Sequence, residues 1–151
     1  MKNKFSIWLS TIFKIGYLLI APGTWGSLAA LLIWYAIVSY ISSITLIALI
    51  VIIFVFGVYT SSETESILGK KDPSIIVIDE WVGQWIALMF LPKSFVWGIV
   101  AFAFFRLFDI WKPFPINKLD NIKGGYGIML DDVLAGVYAL IGVHTLRYFL
   151  L

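Results

Sequence analysis

The stretch ITLIALIVIIFVFGVYT, residues 44–60, decides the fold class. It carries no charge, and a helix over it is about 25 Å long, enough for most of a hydrocarbon core. It belongs to a larger uncharged region, because no charged residue lies between Lys14 and Glu63. Two spans fit there. The first covers residues 25–41, restarting after Pro22-Gly23 with Thr24 as its candidate cap. Ser39-Tyr40-Ile41-Ser42-Ser43 turns the chain, and residues 44–60 return as the second.

Composition agrees with that reading. Hydrophobic residues make up 61% and charged residues 13%, whereas soluble domains carry about half and about a quarter. The chain reads as one all-α integral membrane domain over residues 1–151. A net charge of +2 gives no argument for nucleic acid, and the absence of Cys excludes disulfides, thiolate metal sites and cysteine nucleophiles.

Working outward, residues 2–15 have helical periodicity. Lys2, Asn3, Lys4, Ser6, Ser10, Thr11 and Lys14 fall on one arc; Phe5, Trp8, Leu9 and Ile12 fall on the other. A basic amphipathic helix with Trp and Phe on its apolar face predicts an interfacial segment. Residues 61–74 are mostly polar and read as a connection. A third helix is expected over roughly 75–91, ending at Pro92-Lys93, and a fourth over roughly 95–109. Their uncharged stretches, 81–92 and 94–105, have 12 residues each, short for a full crossing. Residues 110–130 read as a polar loop containing Gly and Pro, and 131–150 as the last span. The expected architecture is a polytopic helical bundle with about five membrane-embedded helices and an N-terminal interfacial helix.

In this arrangement Lys2, Lys4, Lys14, Lys70, Lys71, Lys112, Lys118 and Lys123 lie on one side, and Lys93 and Arg147 on the other. The lysine-rich side is expected to be cytoplasmic. All nine carboxylates lie there too, in the blocks Glu63–Glu80, Asp109–Asp120 and Asp131–Asp132. Ionised groups near lipid cost several kcal/mol unless paired or bound to a cation, so these blocks are the first candidates for a site.

Three helices are expected to start on that face. One begins at Pro22-Gly23-Thr24-Trp25-Gly26-Ser27, one just before Asp79-Glu80, and one at Gly124-Gly125-Tyr126-Gly127, followed by Asp131-Asp132. Helix N-termini present free N–H groups suited to phosphate. The fourth helix ends there with Arg106, Asp109 and Lys112. Carboxylates suit a hard cation such as Mg²⁺, and Arg and Lys neutralise phosphate oxygens. Asp79, Glu80, Asp109, Asp131 and Asp132 are the candidate catalytic residues, with Asp79, Glu80, Asp131 and Asp132 as metal ligands. Thr24, Gly26, Ser27, Arg106 and Lys112 are the candidate phosphate-binding residues. The structural readings of the same residues are helix-end stabilisation for the acids, close span packing for Gly23 and Gly26, and a plain i,i+3 pair for Arg106–Asp109. His144, the only histidine, lies deep in the last span away from the acids. A structural role is expected for it, which argues against a phosphohistidine enzyme. A phosphatase here needs metal-activated water or an Asp nucleophile.

Ala21-Pro-Gly-Thr-Trp-Gly-Ser27, Asp72-Pro73, Ile78-Asp-Glu-Trp-Val-Gly83, Phe105-Arg-Leu-Phe-Asp-Ile-Trp-Lys-Pro-Phe-Pro-Ile116 and Gly124-Gly-Tyr-Gly-Ile-Met-Leu-Asp-Asp-Val-Leu-Ala-Gly136 together resemble the phosphatidylglycerophosphatase A family, in order, from about residue 15 to the C-terminus. The resemblance implies a Mg²⁺-dependent phosphatase of the bacterial inner membrane, with its active site facing the cytoplasm. Its substrate would be phosphatidylglycerol phosphate, held in the bilayer, and its product phosphatidylglycerol. Two rivals are an ion-coupled transporter and a structural membrane subunit. The first predicts acids near the midplane and two symmetric halves; the second predicts acids serving only as caps and ion pairs.

Overall fold

A computed structural model describes residues 2–151, with side chains from Lys4 onward. Seven helices follow in order: α1 (Lys2–Ser10), α2 (Pro22–Ile37), α3 (Ser43–Leu68), α4 (Ile78–Ala87), α5 (Phe95–Trp111), α6 (Ile116–Leu119) and α7 (Gly125–Leu150). A single 3₁₀ turn, Ile15–Tyr17, joins α1 to α2. The described residues contain no strand, so the protein is all-helical.

Among the described residues, two helices are long and apolar enough to cross a membrane, α3 and α7. At 1.5 Å per residue, α2 and α5 reach about 24–26 Å and α4 only about 15 Å. The chain runs back and forth, so α2, α4 and α7 start at the end of the bundle where α3 and α5 finish.

Helix α4 is the central element. Of its residues, all but Glu80 and Trp81 are buried, and it packs against α2, α3, α5 and α7. Its crossing with α7 is made of backbone. A Cβ on Gly136 would sit 2.5 Å from the Gly83 carbonyl oxygen, and one on Gly83 would sit 2.6 Å from the Asp132 carbonyl oxygen and against the Phe105 ring. The Trp85 indole N–H donates to the Ala30 carbonyl at 2.9 Å and ties α4 to α2. His144 Nε2 lies 3.0 Å from the Met89 carbonyl oxygen and joins α7 to the chain just beyond α4. This is the structural role expected of that histidine.

Helix α4 falls inside the expected 75–91, α6 interrupts the expected 110–130 loop, and four further boundaries differ from the sequence reading. Helix α2 begins at Pro22, with Pro in its first turn and Ala21 at the cap, so Thr24 lies inside the helix and caps nothing. Helix α3 runs eight residues beyond Thr60, through the expected connection, and ends at Gly69 with φ 61°. Its polar tail stays helical because it has partners: Thr64 Oγ1 meets Ser10 Oγ at 2.9 Å, Glu63 accepts from Ser6, and Ser62 Oγ accepts from the Gly125 N–H at 2.7 Å. Helix α7 starts at Gly125, within the expected Gly124–Gly127 start, so it extends the 131–150 span back into the expected loop; its glycines admit the backbone of α3 at Val58 and the carbonyl of Ile122.

The fourth difference is at the N-terminus. Helix α1 stops at Ser10, and Ile12, Phe13 and Lys14 follow with positive φ. Ser6, Ser10 and Thr11, on the arc read as polar, are buried, while Phe5 and Trp8 are exposed. The amphipathic helix therefore turns its small polar residues onto the protein and its aromatic residues outward. The side chains of Lys2 and Asn3 lie outside the described residues.

Candidate active site

The glycine crossing places the acids. Asp79 lies four residues before Gly83, and Asp132 four residues before Gly136. Because α4 and α7 run the same way, this brings both carboxylates to the same side, one turn above the contact. Asp79, Glu80 and Asp132 each offer an oxygen, and these oxygens lie within 4.8 Å of one another. Asp79 Oδ1, Glu80 Oε2 and Asp132 Oδ2 are buried without a hydrogen-bond partner among the described residues. Three carboxylates this close, each with a buried oxygen that has no partner, cannot all carry charge unless a cation joins them.

They open onto a cavity of about 290 Å³ lined by α2, α4, α5, α7 and the chain before α4. Gly23 forms part of its wall, and a Cβ there would collide with the Glu80 carboxylate and lie 3.2 Å from an Arg106 guanidinium nitrogen. Arg106 pairs with Asp109 one turn later on α5, and its Nε is buried and unpartnered. Lys112 ends α5 in the left-handed conformation, φ 47°. Its Nζ donates at 2.7 Å to Asp120 Oδ1 and at 2.7 Å to Asp131 Oδ2. Burial opposes the Lys112 charge, but the hydrogen bonds it donates to Asp120 and Asp131 outweigh that and hold its pKa above the ordinary lysine value. Burial likewise pushes the Asp120 carboxyl up, but the Lys112 ammonium prevails and the net shift is downward.

The structure therefore brings Asp79, Glu80, Asp109, Asp131, Asp132, Arg106 and Lys112 to one cavity. Within it they divide. Asp79, Glu80 and Asp132 form the unpartnered cluster, while Asp131 is held by Lys112 and Asp109 by Arg106. Asp131 and Asp132 lie two turns into α7 and so do not act as caps. Thr24, Gly26 and Ser27 do not line the cavity. Ser27 Oγ donates back to the Gly23 carbonyl at 2.9 Å, and Gly26 makes room for Val77, whose Cβ would lie 2.9 Å from an added methyl. These two serve helix packing beneath the site.

Sequence reasoning left three cavity neighbours out of the named site residues. Asp72 lines the wall, held at φ 45° with its N–H donating to Glu65 Oε1 at 3.2 Å. Burial raises its pKa above the usual carboxylate value, partly offset by Lys112. Asp120 reaches the cavity only through Lys112. Gly23 is part of the expected phosphate-suited helix start, with close packing as the alternative, but is not among the named phosphate-binding residues. The Asp72-Pro73 pair was the one signal available, since it lies in a polar segment with no apolar face to explain it.

A sequence profile of the family described as Phosphatidylglycerophosphatase A matches residues 8–147. The chain belongs to that family. A Haemophilus influenzae protein named Phosphatidylglycerophosphatase A is 41% identical over 145 residues, covering 95% of this chain and 89% of the relative. The Escherichia coli protein of the same name is 42% identical over 132 residues, covering 85% and 76%. A Bacteroides thetaiotaomicron protein provisionally named a phosphatidylinositol-3-phosphatase is 42% identical over 147 residues, covering 93% and 92%. No solved structure matches the chain. The protein is thus a phosphatase, a phosphoric monoester hydrolase, as the motifs implied.

Proposed function

We propose that this phosphatase hydrolyses phosphatidylglycerol phosphate to phosphatidylglycerol and inorganic phosphate, with Mg²⁺ as cofactor, in phospholipid biosynthesis. The observation that carries the reading is the unsatisfied trio of Asp79, Glu80 and Asp132 in the same cavity as Arg106 and Lys112. An all-oxygen anionic donor set fits Mg²⁺ better than softer metals. Asp79, Glu80 and Asp132 would hold the ion. When bound, it would supply Lewis-acid stabilisation of charge on the phosphoryl oxygens.

The chain's own groups do the rest. Arg106 presents planar N–H donors to a phosphate, and Lys112 a point charge. Their partners Asp109 and Asp131 fix where those cations stand. The narrow wall at Gly23 lets the substrate phosphate approach Glu80 and Arg106 together. Positioning combined with fixed charge is the main source of rate in phosphoryl transfer.

The setting suits a lipid substrate. In this reading α3 and α7 cross the membrane, and α2, α4 and α5 complete five embedded helices, with α4 at the centre. Lys70, Lys71, Lys112, Lys118 and Lys123 lie at the cavity end of the bundle, and this lysine bias supports a site facing the cytoplasm at a bacterial inner membrane. A lipid phosphomonoester reaches that depth with its acyl chains still in the bilayer. Family membership sets aside the transporter and the structural subunit.

The test is phosphate release by purified protein from phosphatidylglycerol phosphate in mixed micelles, with and without Mg²⁺, beside phosphatidylinositol 3-phosphate. The expected result is Mg²⁺-dependent release from the glycerol lipid, at a higher kcat/KM than from the inositol lipid. Preference for the inositol lipid overturns the substrate assignment, and full activity in excess chelator overturns the metal.

A further inference from the structure

Lys112 has a partner too many for a phosphate clamp. Its ammonium stands 2.7 Å from two carboxylates, Asp120 and Asp131. One positive charge between two negative ones presents a net negative group to an arriving phosphate. A phosphate oxygen can use Lys112 only if one of the carboxylates gives way. The two are not equal. The Asp131 side chain is 6% exposed and is fixed on α7, and its Oδ1 also accepts the Asp132 N–H at 3.0 Å. The Asp120 side chain is 44% exposed and lies just after the four-residue helix α6. Released from Lys112, Asp120 can be hydrated where it stands, whereas Asp131 would be stranded as a buried charge.

We propose that Asp120 is an internal anion that occupies the outward side of Lys112 in the resting site and yields it to a phosphate oxygen. It is a positioning residue that competes with the ligand. This rests on the reading that the cavity takes a phosphomonoester, and extends it by naming the contact exchanged on binding. The Asp120 main-chain carbonyl also accepts from Lys71 Nζ at 2.6 Å, so the loop stays anchored while the carboxylate swings.

The sign of the effect separates competition from support. If Asp120 competes, Asp120→Asn should tighten inhibition by added inorganic phosphate and lower KM for the lipid, each by about threefold to fivefold, the scale of a partly exposed ion pair. If Asp120 merely props up the site, both should weaken. Three controls make the reading specific. Asp120→Ser should reproduce the gain, Asp120→Asn should give no gain in a Lys112→Met background, and Lys71→Met, which loosens the loop but leaves the carboxylate, should not mimic it. Unchanged or weaker phosphate inhibition in both neutral Asp120 variants overturns the proposal, as does a gain that survives loss of Lys112. Wild-type protein that neither hydrolyses the lipid nor is inhibited by phosphate would instead overturn the underlying reading of the cavity.

Discussion

The two walls of the cavity are built on opposite principles. On the α4–α7 wall, Asp79, Glu80 and Asp132 stand on helices locked backbone to backbone at Gly83 and Gly136, and their inner oxygens have no partner. On the α5 wall, Arg106 sits more than a turn inside the helix and Lys112 caps its end, each already paired with carboxylates. The first wall is rigid and its charges are unpaired; on the second each charge is paired, with only Arg106 Nε left without a partner. A cation resident between turnovers needs the first kind of wall. A phosphate that arrives and leaves needs the second, where ion pairs can be exchanged at modest cost.

The largest expected effects fall on the unpaired wall. Asp79→Asn, Glu80→Gln and Asp132→Asn should each lower kcat/KM by about 10²-fold or more, the scale of losing one preorganised electrostatic group. Chelation should abolish turnover, and added Mg²⁺ should restore it. Asp131→Asn should cost less, because its carboxylate serves Lys112. Equal losses for Asp131 and Asp132 would erase the distinction between the walls.

Next comes the crossing that supports the cluster. Gly136→Ala puts a methyl 2.5 Å from the Gly83 carbonyl. The backbones must part, at about 1–3 kcal/mol of overpacking. A shift of about 1 Å at a reacting centre costs about 10²-fold in rate. Activity should therefore fall far more than melting temperature, although residue 136 touches no substrate. A variant with normal turnover would show that the wall is less rigid than its geometry implies.

The exchangeable wall should respond more mildly. Arg106→Lys keeps the charge but loses the planar fork, and about tenfold in kcat/KM is expected if the guanidinium grips phosphate through two N–H groups. Asp109→Asn should leave Arg106 in place but less fixed, with a smaller loss. Near-silent Arg106→Lys would reduce Arg106 to a structural partner of Asp109.

These walls were unequally visible in the sequence. The all-helical fold, the shared cavity of seven of the ten nominated residues, and the common side of three helix starts followed from apolar run lengths and from where charge is confined. Which acid pairs with which cation did not follow. Asp131 and Asp132 are adjacent, and only the packing of α7 against α4 and α5 turns one toward Lys112 and the other toward Asp79 and Glu80. Thr24, Gly26 and Ser27 were read as a phosphate-binding helix start because Pro22-Gly23 looked like a break. Proline instead opens the helix, and those residues fall one turn inside it. The extra length of α3 was hidden for a related reason: its Ser and Thr residues look like loop until α1 and Gly125 are known to supply their partners.

The smallest effect should come from Asp72, which lies between the two walls and belongs to neither. Its carboxyl is raised above 3.8, chiefly by burial, with Lys112 lowering it and Asp120, Glu65 and Asp109 raising it. The folded protein thus holds this proton more tightly than the unfolded chain does. Stability from the neutral carboxyl is complete below pH 3.8 and is lost as pH rises through the higher folded value. Asn at this position keeps the shape and has no charge to bury. Asp72→Asn should therefore flatten that decline and melt no more than about 2 °C above wild type at neutral pH, a small shift for a chain of this length. Thermal unfolding in detergent across the acid range measures it. If the variant instead melts lower at neutral pH, Lys112 attracts Asp72 more than burial opposes it, and Asp72 joins the paired wall.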